Sequence, residues 1–283
     1  MPSPFNPRIM RTIAVALFFS FLFFNDANAQ TRETREVGTF TEISYRISGK
    51  LYLRQGSPQK VELEGDRETL SETETYLKGN RLVIGNRDNT HWFSWGSDRN
   101  KVNVYVTVEN LDGIYVSGSG DLLAETTITA TDLDLKVSGS GTMELQVDLS
   151  GDLEADISGS GDLKVKGNCR DLNSQVSGSG RLYVANSIDG TAKFGLSGSG
   201  KVLAAGKARL VKANVSGSGK VLAEGLETDR CEVNISGSGD VEINVKSELD
   251  ARITGSGNVS YKGSPNHVNS HSSGSGKIRK IEG

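Results

Sequence analysis

From about residue 110 to the end of the chain, apolar and polar positions alternate around a recurring Ser-Gly-Ser-Gly segment. Two residues before the first glycine of each Gly-Ser-Gly triplet stand Val116, Val137, Ile157, Val176, Leu196 and Val215, then Ile235 and Ile253. Four residues after it stand Leu122, Met143, Leu163, Leu182, Val202 and Val221. The sixth position on either side is also mostly apolar, as at Leu133, Leu145, Leu153 and Val165. Residues in between, such as Asp134, Lys136, Glu154 and Lys212, are mostly polar. A period of two is strand geometry, because successive strand side chains point to opposite faces, whereas a helix repeats about every 3.6 residues.

The first glycines fall at 118, 139, 159, 178, 198, 217, 237, 255 and 274, a repeat of 18–21 residues. Flexible linkers do not recur so regularly, and self-similarity at a fixed period marks stacked units that bury their apolar faces on one another. The pattern therefore predicts an all-β chain whose residues 111–283 form a parallel β-helix, or solenoid, of about nine rungs. Each rung carries two inward-facing strands, a tight Gly-Ser-Gly joint and a variable corner. Both glycines share the inward parity of their apolar neighbours and leave room where the coil turns, while the serines face out. A leucine-rich repeat would need a longer Leu-x-x-Leu-x-Leu pattern with an Asn ladder, and neither occurs. Strand spacing of about 4.8 Å makes nine rungs a rod roughly 40 Å long.

Residues 37–110 lack the strict tetrapeptide but still alternate in "FTEISYRISGKLYLRQG", "KVELEGD", "RLVIGN" and "KVNVYVTVENL". They predict irregular β coils and a cap over the first rungs, since uncovered strand edges invite edge-to-edge association. Within them, Asp66 is placed to cap a short helix in 66–80. Residues 30–36 read as a short linker. In the first 29 residues, Arg8 and Arg11 precede the apolar run "TIAVALFFSFLFF", and Ala27-Asn28-Ala29 has the small-x-small form of a cleavage site. These residues predict a signal peptide and export to the periplasm, the outer-membrane surface or the medium. The run is short for a bilayer span, and no later segment is apolar enough to cross as a helix. After the last triplet only "KIRKIEG" follows, so no translocator barrel is expected in this sequence.

Cleavage after Ala29 leaves 30 basic and 34 acidic residues, a net charge of −4, without the basic balance of a nucleic-acid binder. "HWFSWGSD" at 91–98 holds both tryptophans of the chain, so Trp92, Phe93 and Trp95 are candidate ligand-binding residues, or else a lid folded over the end of the coil. Other chemistry is thinly represented, and no catalytic, cofactor-binding or metal-binding residues are expected. The third position after the first glycine mixes Asp121, Asp162 and Asp240 with Arg181, Lys201 and Lys220, a solvated face and not a calcium ladder. "GLSGSGKV" at 195–202 approaches a phosphate-binding loop but lacks its final Ser or Thr, and no helix pattern follows. Asp132 and Asp134 read as a solvated pair, and His267 and His271 as polar residues of the last rung. Cys231 takes an inward position and Cys169 a variable corner three rungs earlier, about 14 Å away along the stack. A disulfide needs Cα atoms within about 7 Å, so two free thiols are expected.

Through "ISGKLYLRQG" (47–56), "VYVTVENLDGIYVSGSGDL" (104–122) and the recurring "VSGSGKV" type segments, the chain resembles the family described as "putative auto-transporter adhesin, head GIN domain" over roughly residues 37–280. The resemblance implies a β-helical fold, a cell-envelope setting and a binding or scaffolding role as an adhesin, with a glycan or a cell-surface protein as partner. It supplies no catalytic residues. A carbohydrate-active enzyme, a lyase or hydrolase on the same scaffold, is the alternative.

Overall fold

The computed structural model describes residues 30–86 and 101–282. It is 73% strand and 3% helix, wound as a β-solenoid of about eight turns, which the nine glycine triplets bound. Each regular turn pairs a strand before the triplet with one after it. Thus β11 (Leu133–Gly139), β13 (Leu153–Gly159), β15 (Leu172–Gly178) and β17 (Thr191–Gly198) stack in parallel on one face. On the other face stack β12 (Thr142–Leu149), β14 (Asp162–Cys169) and β16 (Arg181–Ile188). Farther along, β18 (Lys201–Gly217), β19 (Lys220–Gly237) and β20 (Asp240–Gly255) each run through the variable corner and contribute to both faces. The stack ends on β21 (Asn258–Lys262), β22 (His267–Gly274) and β23 (Lys277–Lys280).

The inward rows are those the alternation predicts, with Val137, Leu163, Leu182, Val202, Val211 and Val221 almost fully buried. At the triplets, the outward serines and the buried second glycine follow the expected parity, but the first glycine does not point inward. Gly159 is exposed and has φ +115°, which swings the chain around the corner. Its carbonyl accepts two hydrogen bonds from the next turn, from Ser179 N–H and Gly180 N–H, both at 2.9 Å. Only the second glycine sits under the core: a Cβ on Gly161 would lie 2.6 Å from Val137 Cγ1 and 2.5 Å from the Gly141 carbonyl oxygen.

The post-triplet strands bend once more at Gly167 and Gly206, both at positive φ. The bend adds a third inward row. Cys169, placed in a variable corner by the spacing, is therefore buried and stacked on Ile188. Cys231 stacks on Val211, and both thiols are free.

The first turns are wound out of chain order. β2 (Glu42–Tyr45) lies between β6 (Arg81–Asn86) and β8 (Gly113–Gly118). Likewise β3 (Gly49–Gln55) lies between β7 (Val102–Val108) and β9 (Asp121–Ala124). Antiparallel strands close this end: β5 (Thr73–Lys78) on β6, β4 (Lys60–Gly65) on β7, and β1 (Thr31–Thr34) on β4. Between β4 and β5, the helix α1 (Arg67–Glu72) is capped by Asp66, whose carboxylate accepts the Thr69 N–H at 2.9 Å. Those contacts hold the Asp66 carboxyl below the ordinary range for aspartate.

Candidate binding surfaces on the lateral faces

A solenoid spends its backbone hydrogen bonds on neighbouring turns, so its lateral faces present side chains in straight columns. Most outward columns are charged and locally paired. Arg181 makes a two-pronged ion pair with Asp162 one turn away, at 2.8 and 2.6 Å. Arg170 does the same with Asp152, at 3.0 and 2.8 Å. Lys220 reaches Asp240 at 2.7 Å, and with Asn258 it holds that carboxyl below its usual range.

One column breaks this rule. Five residues after each first glycine the outward side chains run Leu123, Glu144, Lys164, Tyr183, Leu203, Leu222 and Glu242, each in register with the next. Tyr183, Leu203 and Leu222 are consecutive and partly buried, a short apolar stripe on a face otherwise built for water. Beside it, two residues farther along each strand, Lys166 stands in register with Ala185 and Ala205. Because alanine is small, the stripe becomes the wall of a trough with a cavity volume of about 370 Å³, within the usual range for ligand sites. The register between β18 and β19 slips between Leu203 and Ala205, the kind of irregularity that often re-aims side chains at a site.

The ends of the trough differ in charge. At the end nearer the first turns, Lys164 faces Glu144 at 3.3 Å, and Lys166 forms no ion pair among the described residues. Past Leu222, Glu242 is pushed above its usual range, chiefly by burial and then by neighbouring Glu224, which Lys262 holds in an ion pair at 2.6 Å.

The opposite face carries a second depression, of about 500 Å³, over the serine column, at Gln175, Asn214, Asn234 and Arg252. Asn234 Nδ2–H donates to Asn214 Oδ1 at 3.1 Å, and Gly195 leaves the gap that the Gln175 side chain covers.

Trp92, Phe93 and Trp95 lie outside the described residues; their segment joins β6 to β7. Asp132 and Asp134, read as a solvated pair, serve the fold: Asp134 accepts from the Tyr115 hydroxyl at 2.7 Å, and Asp132 from the Asp152 N–H at 2.7 Å. His267 and His271 are exposed on β22. Among the described residues, no three His, Cys, Asp or Glu side chains stand together as a metal site. No described helix is long and apolar enough to cross a membrane.

The alternation had marked the intervening positions as polar, so the stripe was missed; reading the fifth position after each glycine as its own column would have shown it.

Fold and faces together define a parallel β-solenoid with glycine corners and a lateral surface suited to binding. The chain belongs to the family described as "putative auto-transporter adhesin, head GIN domain", whose model matches residues 39–205 and 189–265. Solved structures share the fold. One from Parabacteroides distasonis, titled a putative lipid binding protein, has a TM-score of 0.66 at 23% identity, covering 91% of this chain and 98% of its own. A putative adhesin from the same organism gives 0.65 at 21% identity, covering 90% and 98%. A putative adhesin from Parabacteroides merdae gives 0.65 at 19% identity, with the same coverage. Comparison with curated proteins found no match.

Proposed function

We propose that the chain is an exported, envelope-associated binding protein, an adhesin, that uses a lateral face of a rigid rod and carries no catalytic centre. The observation that carries this reading is the stripe Tyr183–Leu203–Leu222, three apolar side chains kept outward in consecutive turns. Stacked solenoids commonly use such extended surfaces for recognition, and exposed apolar groups rimmed by charge mark interaction sites. Membership in an adhesin-named family supports the role, and the names of the structural neighbours, adhesin and lipid-binding, agree with it. Residues 1–29 act as the signal peptide, which directs the chain to the periplasm, outer surface or medium. The segment holding Trp92, Phe93 and Trp95 is a second contact region.

The test is a binding array of glycans, matrix proteins and lipids probed with residues 30–283, followed by incubation with the polysaccharides. Saturable binding without turnover is expected. Cleavage of any polysaccharide at a useful rate would establish an enzyme and overturn this reading.

A further inference from the structure

The trough beside Tyr183 has a polarity that specifies its ligand more closely. Its cationic end is set by Lys166, which has no ion-pair partner among the described residues, and by Lys164, only loosely engaged by Glu144 at 3.3 Å. With one carboxylate against two ammonium groups, that end carries a net positive charge. From there the wall turns apolar, through Tyr183, Leu203 and Leu222, over a floor narrowed to Ala185 and Ala205. At the far end the next side chain in the column is Glu242, whose carboxyl stands beside that of Glu224.

We propose that this trough binds a single acyl chain with a carboxylate head group, the head against Lys166 and Lys164 and the tail along Tyr183–Leu203–Leu222. Its length fits. The trough crosses β12, β14, β16, β18 and β19, four strand spacings or about 19 Å. One acyl chain spans half of a hydrocarbon core, about 15 Å. Width argues the same way, because a stripe one side chain wide seats one chain. A stable protein partner would need about 800 Å² on each side. An added β-strand is ruled out on this face, since the backbone groups of these strands are already paired within the stack. Charge gives the orientation: a carboxylate is attracted at the Lys166 end and repelled by Glu242 at the other, where Lys262 already pairs with Glu224.

The inference rests on the lateral-face reading above, and its test separates the two. Palmitate, kept below its micelle-forming concentration, is titrated into residues 30–283 by calorimetry, with cetyl alcohol and cetyltrimethylammonium as uncharged and cationic comparisons. Saturable 1:1 binding of palmitate is expected, at least about tenfold tighter than either comparison. Lys166→Glu should weaken palmitate by about tenfold or more and narrow or reverse its preference over the cation. Leu203→Ser with Leu222→Ser should abolish binding of all three. Urea midpoints of these surface variants, matched to the unaltered chain, show that they fold. Equal binding of the cationic chain, or palmitate binding unchanged in Lys166→Glu, would overturn the assignment. If palmitate fails to bind while an array partner is lost on changing Leu203 and Leu222, the ligand class is wrong and the face stands. If those changes affect no partner, both fall.

Discussion

A Cβ placed on Gly159 would lie 2.6 Å from the carbonyl oxygen of Gly139, the equivalent glycine one turn earlier. The same approach recurs along the column, as between Gly178 and Gly159. Since Gly159 also holds φ +115°, an alanine there meets backbone that cannot yield and a conformation it rarely adopts. Gly159→Ala should cost roughly 2–4 kcal/mol, with a matching drop in urea midpoint. Ser158→Ala, next to it and exposed, should stay within about 0.5 kcal/mol. Equal effects would mean that the corner is not built on this contact.

The division between inside and outside is tested by neighbours. Leu163 and Val202 are fully buried, so Leu163→Asp or Val202→Asp puts an unpaired carboxylate in the stack and should cost several kcal/mol. Lys201→Ser should change stability by less than about 0.5 kcal/mol. Asp162→Ser also removes the Arg181 pair and should cost no more than about 1 kcal/mol. Greater damage from the second set would reverse the faces.

Asn186 offers a prediction of opposite sign. It is 1% exposed, in the inward row between Gly167 and Gly206, and neither amide atom has a hydrogen-bond partner among the described residues. Val147 and Leu226 occupy the same row two turns away on either side, so an aliphatic side chain suits it. Asn186→Val should therefore raise stability by about 1–2 kcal/mol, since it removes buried, unpartnered polar groups. A loss in the thermal midpoint would contradict this.

Both cysteines should be chemically silent in the folded rod. Burial, and then the carboxylates of Asp171, Asp152 and Asp189, push the Cys169 thiol up to about 12, and burial raises Cys231 as well. At pH 8 both are protonated as well as shielded, and it is the thiolate that reacts. A disulfide-exchange reagent should find no thiol in the native protein and two after denaturation. Reaction of the native protein would place Cys169 outside the third row.

Much of this structure was legible in the chain, and the limits have physical causes. Period-two alternation around the triplets reports which side chains share a face, so the rows through Val137, Leu163 and Val202 followed directly. The interleaving of β2 and β3 with later strands did not, because a short alternating strand looks the same wherever it sits in a stack. The third inward row, with Cys169, depends on bends at Gly167 and Gly206 that interrupt the alternation. The first glycine's outward swing also escaped parity counting, since a positive φ resets the direction of the chain. For the site, each of Tyr183, Leu203 and Leu222 looks like one stray apolar residue among polar neighbours. Only their register, one above another, makes them a surface.

The most direct measurement of the central claim is the array repeated with the Leu203→Ser, Leu222→Ser chain beside the unaltered one, both first shown to have the same thermal midpoint. A binding surface at Tyr183–Leu203–Leu222 predicts loss of the principal partner with stability unchanged. Full retention of that partner by the double variant would contradict the account and move recognition to another part of the rod.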